Sequence, residues 1–400
     1  MPERLYSHII LGGGLTGAAA VEGIRQHDAN GSILLMSTEP DLPYDRPPLS
    51  KQLWTGAKRV EEIFVQPQSF YIDHRVDLRL RTEAVQLDVA SHTLRDRAGN
   101  TYRYDKLLLA TGGTPRRLTI PGGDLKGISY YRTLNDYHQV RAAVAPGKSA
   151  VVIGGGFIGS EMAAALCINR MAVTMIFPQQ WLVSRVFPEP LGRSLTDYYR
   201  SKGVTVLAED VPASIEQNSN TYVVQTRGGR QVRADLVIAG IGITPNVSLA
   251  EAAGLKTGNG IIVDQFLQTS NPDVYAAGDV AFFPEDVLGP RRIEHWDNAI
   301  SQGKHAGRNM AGAHEPFTEM PYFFSDLFEF GYEAVGEVES RLETFADWQE
   351  PNKTGVIYYL SNGRVRGAMM CNVWGKVDAA RELIRKGVPM QVQDLHDAIA

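Results

Sequence analysis

The chain has 400 residues, 44% of them hydrophobic and 21% charged; at roughly 150 residues per domain this points to two or three domains with buried cores and excludes wholesale disorder. Forty Lys and Arg against forty-five Asp and Glu leave a formal charge of −5, without a long run of like charge, so neither a nucleic acid nor a polybasic membrane contact is indicated. Two cysteines, Cys167 and Cys371, stand far apart; they exclude a disulfide framework, a Cys-built zinc site, a thiolate-bound iron–sulfur cluster and a paired-cysteine redox centre, and no metal site is expected.

The opening segment to Ile10 is too quickly followed by glycines to read as a signal peptide. No window reaches about 18 uninterrupted apolar residues, so the expectation is a cytoplasmic protein without a membrane span. His8–Leu11 reads as a short buried strand, Gly12-Gly13-Gly14-Leu15-Thr16-Gly17 as a G-x-G-x-x-G turn, and Ala18–Ile24 as a small-residue helix. In that pattern the first glycine permits the turn and the second lets backbone N–H groups approach a pyrophosphate. The third lets the helix pack on the strand, so that its N-terminus faces the phosphates. A second strand, Ser32–Ser37, leads to Glu39, 22 residues after Gly17. An acid near that distance suits an adenosine ribose; a plain loop carboxylate is the alternative. The proline-rich Leu42–Lys51 is stiff and cationic, with Arg46 and Lys51 suited to a pyrophosphate or a flavin, although composition alone reads as an exposed loop.

Further on, Thr93–Arg95 and Tyr102–Tyr104 flank a Gly99-Asn100 turn, and Asp105–Gly113 is a strand ending in glycines. The pattern then repeats. Ala150–Ile153 runs into Gly154-Gly155-Gly156-Phe157-Ile158-Gly159 and the helical Ser160–Leu166; Tyr222–Gln225 and Gln231–Arg233 flank Gly228-Gly229; and Asp235–Gly242 again ends in glycines. Between them Ala172–Phe177 reads as a strand followed by Pro178-Gln179-Gln180-Trp181. Near the C-terminus, strands are expected at Glu333–Val338, Gly355–Leu360 and Arg364–Cys371, and a helix at Val377–Lys386. Two dinucleotide modules in one chain imply two nucleotides, one passing electrons to the other.

Pro43-Tyr44-Asp45-Arg46-Pro47-Pro48-Leu49-Ser50-Lys51, Ala110-Thr111-Gly112-Gly113-Thr114-Pro115-Arg116, Val274–Asp279, Glu294–Ala299 and Ser325-Asp326-Leu327 with Gly331–Ala334 carry a specific resemblance. The chain resembles the pyridine nucleotide–disulfide reductase superfamily, in the branch of apoptosis-inducing factor and the bacterial ferredoxin and rubredoxin reductases. The resemblance implies an α/β fold: two Rossmann-like, glutathione-reductase-like dinucleotide-binding domains plus a C-terminal α+β domain. It implies an FAD domain at 1–117 and 246–315, an NAD(P) domain at 118–245 and the third domain at 316–400, with a joint near Pro316 and Pro321.

By the same resemblance Gly12, Gly14 and Gly17 hold the FAD pyrophosphate, Glu39 lies near the adenosine and Val85 gives backbone contact to the adenine. Arg46, Lys51, Ala110, Arg132, Trp296 and Phe324 are further FAD contacts. Asp279 bonds the ribityl chain, with a helix N-cap as its alternative. Gly154, Gly155, Gly156, Phe157, Ile158 and Gly159 bind the nicotinamide dinucleotide, with Gln179 and Arg185 on its adenosine side. Gly242, Glu294, His295, Glu333 and Asn372 position it for hydride transfer; His295 otherwise reads as a structural histidine at a strand end. Lys51 and Glu161 form the family's salt bridge at the reactive edge of the flavin and, with His295, make up the catalytic set; Glu161 otherwise reads as a first-turn acid facing its helix dipole. Phe324 stands where the family usually has tryptophan.

The disulfide-using relatives carry cysteine where this chain has Pro40–Tyr44, and Cys167 and Cys371 read as small core residues. The expected function is therefore hydride transfer from NAD(P)H to FAD, with NADH favoured and NADPH open, and electron delivery to a small ferredoxin or rubredoxin. Two alternatives are an NAD(P)H oxidase or quinone reductase without a protein partner, and a redox-responsive signalling protein like apoptosis-inducing factor. A homodimer stays open.

Overall fold

Each glycine-rich turn follows a strand whose last four residues are buried, His8–Leu11 and Ala150–Ile153, and each such strand lies between two parallel neighbours. The computed structural model describes residues 4–399. By contact they form two units. The first takes the chain up to Asp45, Val60–Thr114 and Thr244–Pro321; the second takes Arg46–Arg59, Pro115–Ile243 and the chain from Tyr322 onward.

In the first unit Arg4–Leu11 lies between Ile33–Met36 and Thr101–Leu109, all parallel, with Val76–Arg79 outside Ile33–Met36. Ile33–Met36 is buried at every position, as a parallel strand covered on both faces requires. Thr101–Leu109 has two neighbours on its other edge. The hairpin strand Thr93–Asp96 runs antiparallel to its first residues, and Val274–Ala276 runs parallel to its last. The latter pairing returns the chain beyond Thr244 to the first sheet. Helices Leu15–His27 and Trp296–Met310 then pack backbone to backbone: a Cβ on Gly23 would lie 2.1 Å from the Lys304 carbonyl oxygen, and one on Gly307 2.3 Å from that of Ala20.

The second unit holds a five-stranded parallel sheet in the order Thr205–Ala208, Ala172–Phe177, Ser149–Ile153, Leu236–Ala239, Ile128–Ser129, and an antiparallel trio, Pro212–Asn218, Thr221–Thr226 and Gln231–Ala234. Its C-terminal part is an antiparallel sheet in the order Tyr322–Leu327, Phe330–Gly336, Arg364–Cys371, Thr354–Ser361, Glu343–Glu350, followed by the helix Val377–Lys386. The strand expected from Glu333 starts earlier, at Phe330, and stops at Gly336, where φ is +79° and a Cβ would lie 2.4 Å from the Arg366 carbonyl oxygen.

The two modules repeat in register as well as in pattern. Gly12 N–H donates to Met36 O and Gly154 N–H to Ile176 O, both at 2.9 Å; Ala110 N–H donates to Leu11 O and Gly240 N–H to Ile153 O, both at 2.8 Å. Counting on from Met36 and Ile176, Ser37 corresponds to Phe177 and Glu39 to Gln179. Among the described residues no helix is long and apolar enough to cross a membrane, and no group of His, Cys, Asp and Glu could hold a metal ion.

Candidate active site

Both turns are built for a guest at the helix tip. Gly12 and Gly154 have φ of +129° and +117°, and a Cβ on either would collide with a neighbouring strand's carbonyl oxygen, Ala110 O at 2.0 Å and Gly240 O at 2.3 Å. A Cβ on Gly17 would meet Gly12 O at 2.0 Å, and one on Gly159 would meet Gly154 O at 2.1 Å, so the third glycine sets the close packing of helix on turn. Gly14 and Gly156 differ: nothing lies within 4 Å of a Cβ on either. They are the N-cap residues of Leu15–His27 and Phe157–Ile168, with no side-chain cap and no acid in either first turn. Uncapped N–H groups facing open space are where a phosphate group is best received.

In the first unit, half-buried Glu39 lies just beyond its strand and accepts a hydrogen bond from the Tyr44 hydroxyl. Gly278, with φ of +76°, brings its backbone against Thr16 Oγ1, which a Cβ would approach to 2.3 Å. Asp279 follows within a 3-10 turn, Gly278–Val280, whose N-cap is Ala277; Asp279 is therefore no helix cap, and a strand, Ala281–Phe283, comes next. His295 precedes the helix Trp296–Met310 as its N-cap residue, rather than ending a strand. Desolvation pushes its imidazole down to about 4, so the ring is neutral near pH 7. Trp296 Nε1 donates to Asp45 Oδ1 at 2.8 Å, anchoring the end of the Pro43-Tyr44-Asp45 segment.

Two buried amides on the helix Trp296–Met310 bear on a cofactor. Gln302 Oε1 accepts from Gly278 N–H at 2.9 Å and Asn298 Nδ2 donates to Ile293 O at 3.1 Å. The remaining Gln302 Nε2 and Asn298 Oδ1 are buried without partners. A buried donor and acceptor left over beside the first turn is costly unless a bound group supplies the complement. The residues fit FAD.

In the second unit, Lys51 Nζ lies 2.7 Å from Glu161 Oε1, with the two side chains 9% and 5% exposed. Glu161 is the fifth residue of the helix Phe157–Ile168, which has no acid in its first turn, so a direct ion pair, not the helix dipole, holds it. Two further donors complete the carboxylate: Ser325 Oγ to Oε1 and Ser50 Oγ to Oε2, both at 2.5 Å. Lys51 Nζ also lies 5.5 Å from the centroid of the Phe324 ring, a cation–π distance. Arg46 donates to the backbone oxygen of Arg132 at 2.8 Å.

Other expected residues are placed differently. Glu294 pairs with Arg292 at 2.7 Å. Val85 is 43% exposed, at a register shift of the outer strand Ala84–Asp88. Asn372 Oδ1 accepts from Gly331 N–H at 2.9 Å and its Nδ2 donates to Lys353 O at 3.0 Å, so its side chain holds the turn after Arg364–Cys371. Glu333 accepts from Gly375 N–H. Gly242, with φ of +93°, accepts from Arg116 N–H. Gln179, Ile158 and Arg185 are exposed, and the Phe157 ring packs edge-on against Phe323 at 5.6 Å. Phe177 is buried with its ring against Gly155. Sequence reasoning gave no role to Tyr44, Asp45, Ser50, Asn298 and Ser325, although all five lie inside the motifs that carry the resemblance, and it missed Gln302, which lies outside them.

Residues 6–303 match the family described as pyridine nucleotide-disulphide oxidoreductase. The chain belongs to this family. Residues 306–354 match the C-terminal region described for apoptosis-inducing factor. Monodehydroascorbate reductase 3 of Arabidopsis thaliana is 35% identical over 397 residues, covering 92% of this chain and 90% of that protein. The ferredoxin–NAD(P)(+) reductase of Sphingomonas sp is 34% identical over 371 residues, covering 91% and 89%. The crystal structure of the covalent putidaredoxin reductase–putidaredoxin complex matches with a TM-score of 0.91 at 29% identity, covering 97% of this chain and 95% of that one. The family's fold, two Rossmann-like domains with a C-terminal sheet domain, is the fold observed, and the chain is an FAD- and NAD(P)H-dependent oxidoreductase.

Within the family this member lacks a disulfide, for both cysteines are free. Cys167 is half-buried and its Sγ donates to Lys202 O at 3.3 Å. Cys371 is fully buried in its strand, and burial pushes its thiol far up, away from the thiolate that redox chemistry needs.

Proposed function

We propose that the enzyme delivers electrons from NAD(P)H, by way of FAD, to a small redox protein of the ferredoxin or rubredoxin class. The observation that carries this reading is the buried Lys51–Glu161 pair in a chain whose two thiols are both unsuited to relay electrons. Support comes from the ferredoxin reductase relative and the reductase–putidaredoxin complex.

On this reading 1–117 with 246–315 is the FAD domain, 118–245 the NAD(P) domain and 316–400 the third. Gly12, Gly14, Gly17 and the tip of Leu15–His27 receive the FAD pyrophosphate, Glu39 the adenosine ribose and Asp279 the ribityl chain, with Asn298 and Gln302 meeting remaining polar atoms. Gly154, Gly156 and Gly159 receive the nicotinamide dinucleotide. When bound, FAD supplies acceptance of a hydride and release of single electrons. Lys51 stabilises negative charge beside it, and Glu161 offsets the cost of burying that lysine. His295, neutral, keeps one N–H to donate in a hydrogen bond but is no acid at neutral pH, so its part is orientation. A cytoplasmic, reducing setting belongs to the same proposal, since both thiols are free.

The test is steady-state turnover with NADH against a panel of acceptors: [2Fe–2S] ferredoxins, rubredoxin, a quinone, dioxygen and the monodehydroascorbate radical. One protein acceptor should exceed every small acceptor in kcat/KM by roughly a hundredfold, equivalent to about 2.7 kcal/mol. Best turnover with the radical or a quinone overturns the protein-acceptor reading.

A further inference from the structure

The carboxylate of Glu161 is held by more than its lysine. Ser50 and Ser325 are 4% and 1% exposed, and each spends its hydroxyl proton on a different oxygen of Glu161. Three segments distant in sequence meet on this one side chain: the 3-10 turn Pro47–Ser50 next to Lys51, the helix Phe157–Ile168 that starts at the second glycine-rich turn, and the strand Tyr322–Leu327 of the C-terminal sheet. The other ionisable groups facing Glu161 are Asp326 on that strand, Tyr332 on the next and Tyr199 on the helix Glu189–Ser201. Burial keeps both phenols protonated, but Tyr199 gives its proton to Ser160 O at 2.9 Å and the Tyr332 hydroxyl makes no hydrogen bond among the described residues, which leaves Lys51 and the two serines as the donors to the carboxylate.

A buried carboxylate distributes its charge over the donors that reach it, and hydrogen bonds to a charged group are stronger than neutral ones. With both hydroxyls present, Lys51 is one donor of three and stays over the Phe324 ring. With them gone Lys51, already 2.7 Å from Glu161, is the sole donor; the carboxylate charge is no longer offset by the two hydroxyl dipoles, and more of the Lys51 field outside the pair is cancelled. We propose that Ser50 and Ser325 are positioning residues that set how much of the Lys51 charge acts on the bound flavin. This rests on the reading that FAD binds beside Lys51.

The experiment measures the two-electron midpoint potential of the flavin in the FAD-loaded protein for wild type, S50A, S325A, S50T, S325T, E161Q and K51M. Each Ser→Ala variant should lower the potential, shifting the equilibrium about tenfold towards oxidised flavin, or about 30 mV for a two-electron couple. The Thr variants, which keep the hydroxyl, should return towards wild type. E161Q removes the opposing charge and should raise the potential, the opposite sign to the serine variants. Potentials of S50A and S325A that move the redox equilibrium by less than twofold, about 9 mV, or that shift upward, overturn the proposal while K51M still lowers the potential. No shift in K51M overturns instead the placement of the flavin beside Lys51. The two serines lie on different segments, so a variant that fails to load FAD leaves the other to decide.

Discussion

At the level of single residues, the two modules differ at the position that, on the proposed reading, faces a nucleotide's adenosine ribose. The shared register makes Glu39 and Gln179 counterparts, and they are of opposite use. A carboxylate such as that of Glu39 suits a ribose diol and repels a phosphate, whereas the exposed amide of Gln179 can donate and accept without repelling either. Phe177, the residue that closes its strand, is buried against Gly155 and carries no charge to the surface. The second module therefore lacks the acid that excludes a 2′-phosphate, and NADPH should reduce the flavin at a rate comparable with NADH. Gln179→Glu restores that acid. It should raise the preference for NADH over NADPH by roughly tenfold, about 1.4 kcal/mol, read as the ratio of flavin reduction rates in anaerobic stopped flow. An unchanged ratio would mean that residue 179 does not reach the ribose.

At the level of elements, the turn glycines do two different jobs, which single substitutions separate. Gly14 has φ of −96° and Gly156 of −86°, ordinary for any residue, and a methyl on either enters open space. Gly14→Ala should leave the apoprotein's stability within about 0.5 kcal/mol of wild type yet lose FAD affinity by at least about tenfold. Gly156→Ala should spare FAD and raise the Kd for NADH. Gly17→Ala and Gly159→Ala place a methyl about 2 Å from a carbonyl oxygen; they should destabilise the fold itself by about 1–3 kcal/mol. Urea melts of apoprotein with cofactor titrations decide it, and equal stability losses for Gly14→Ala and Gly17→Ala would refute the division of labour. These turns were legible in the sequence because their spacing is local: strand, turn and helix fall within about twenty residues. The ion pair's surroundings were not. Ser50 and Ser325 reach Glu161 only through tertiary packing, and a serine beside a motif residue looks like any other serine until both hydroxyls are seen on one carboxylate. Glu161 itself looked compatible with a helix-dipole role because the helix start is blurred by its glycines; it lies beyond the first turn.

Across the whole molecule, the two units should respond differently to acid. Their membership was only partly legible, since the pairing of Val274–Ala276 with Leu107–Leu109 is a contact between distant segments that no periodicity announces, and Arg46–Arg59 packs with the second unit although the first surrounds it in sequence. The first unit collects three imidazoles that burial makes reluctant to charge: His8 and His305 are pushed down by desolvation, against opposing help from Asp28 and from the Glu315 carbonyl, and His295 falls to about 4. A histidine with a depressed folded pKa binds its proton more readily when unfolded. Its contribution is intact above about 6.5, the unfolded value, and is lost as pH falls through the interval down to the folded value. Asp28, lowered to about 2 chiefly by the Gly31 N–H, adds stability that is lost only below the normal carboxylate range. Between pH 6.5 and 4.5 the histidines therefore dominate, and they lie in the unit that holds the first glycine-rich turn. Acidification across that interval should open the first unit ahead of the second. Hydrogen exchange followed by mass spectrometry, with intrinsic rates corrected for pH, should show peptides from 60–114 and 244–321 losing protection before those from 149–239 and 354–371. His305→Gln should shift the first unit's loss to lower pH by removing one of the three protonations; earlier opening of the second unit would show that its own carboxylates, and not these imidazoles, set the acid limit.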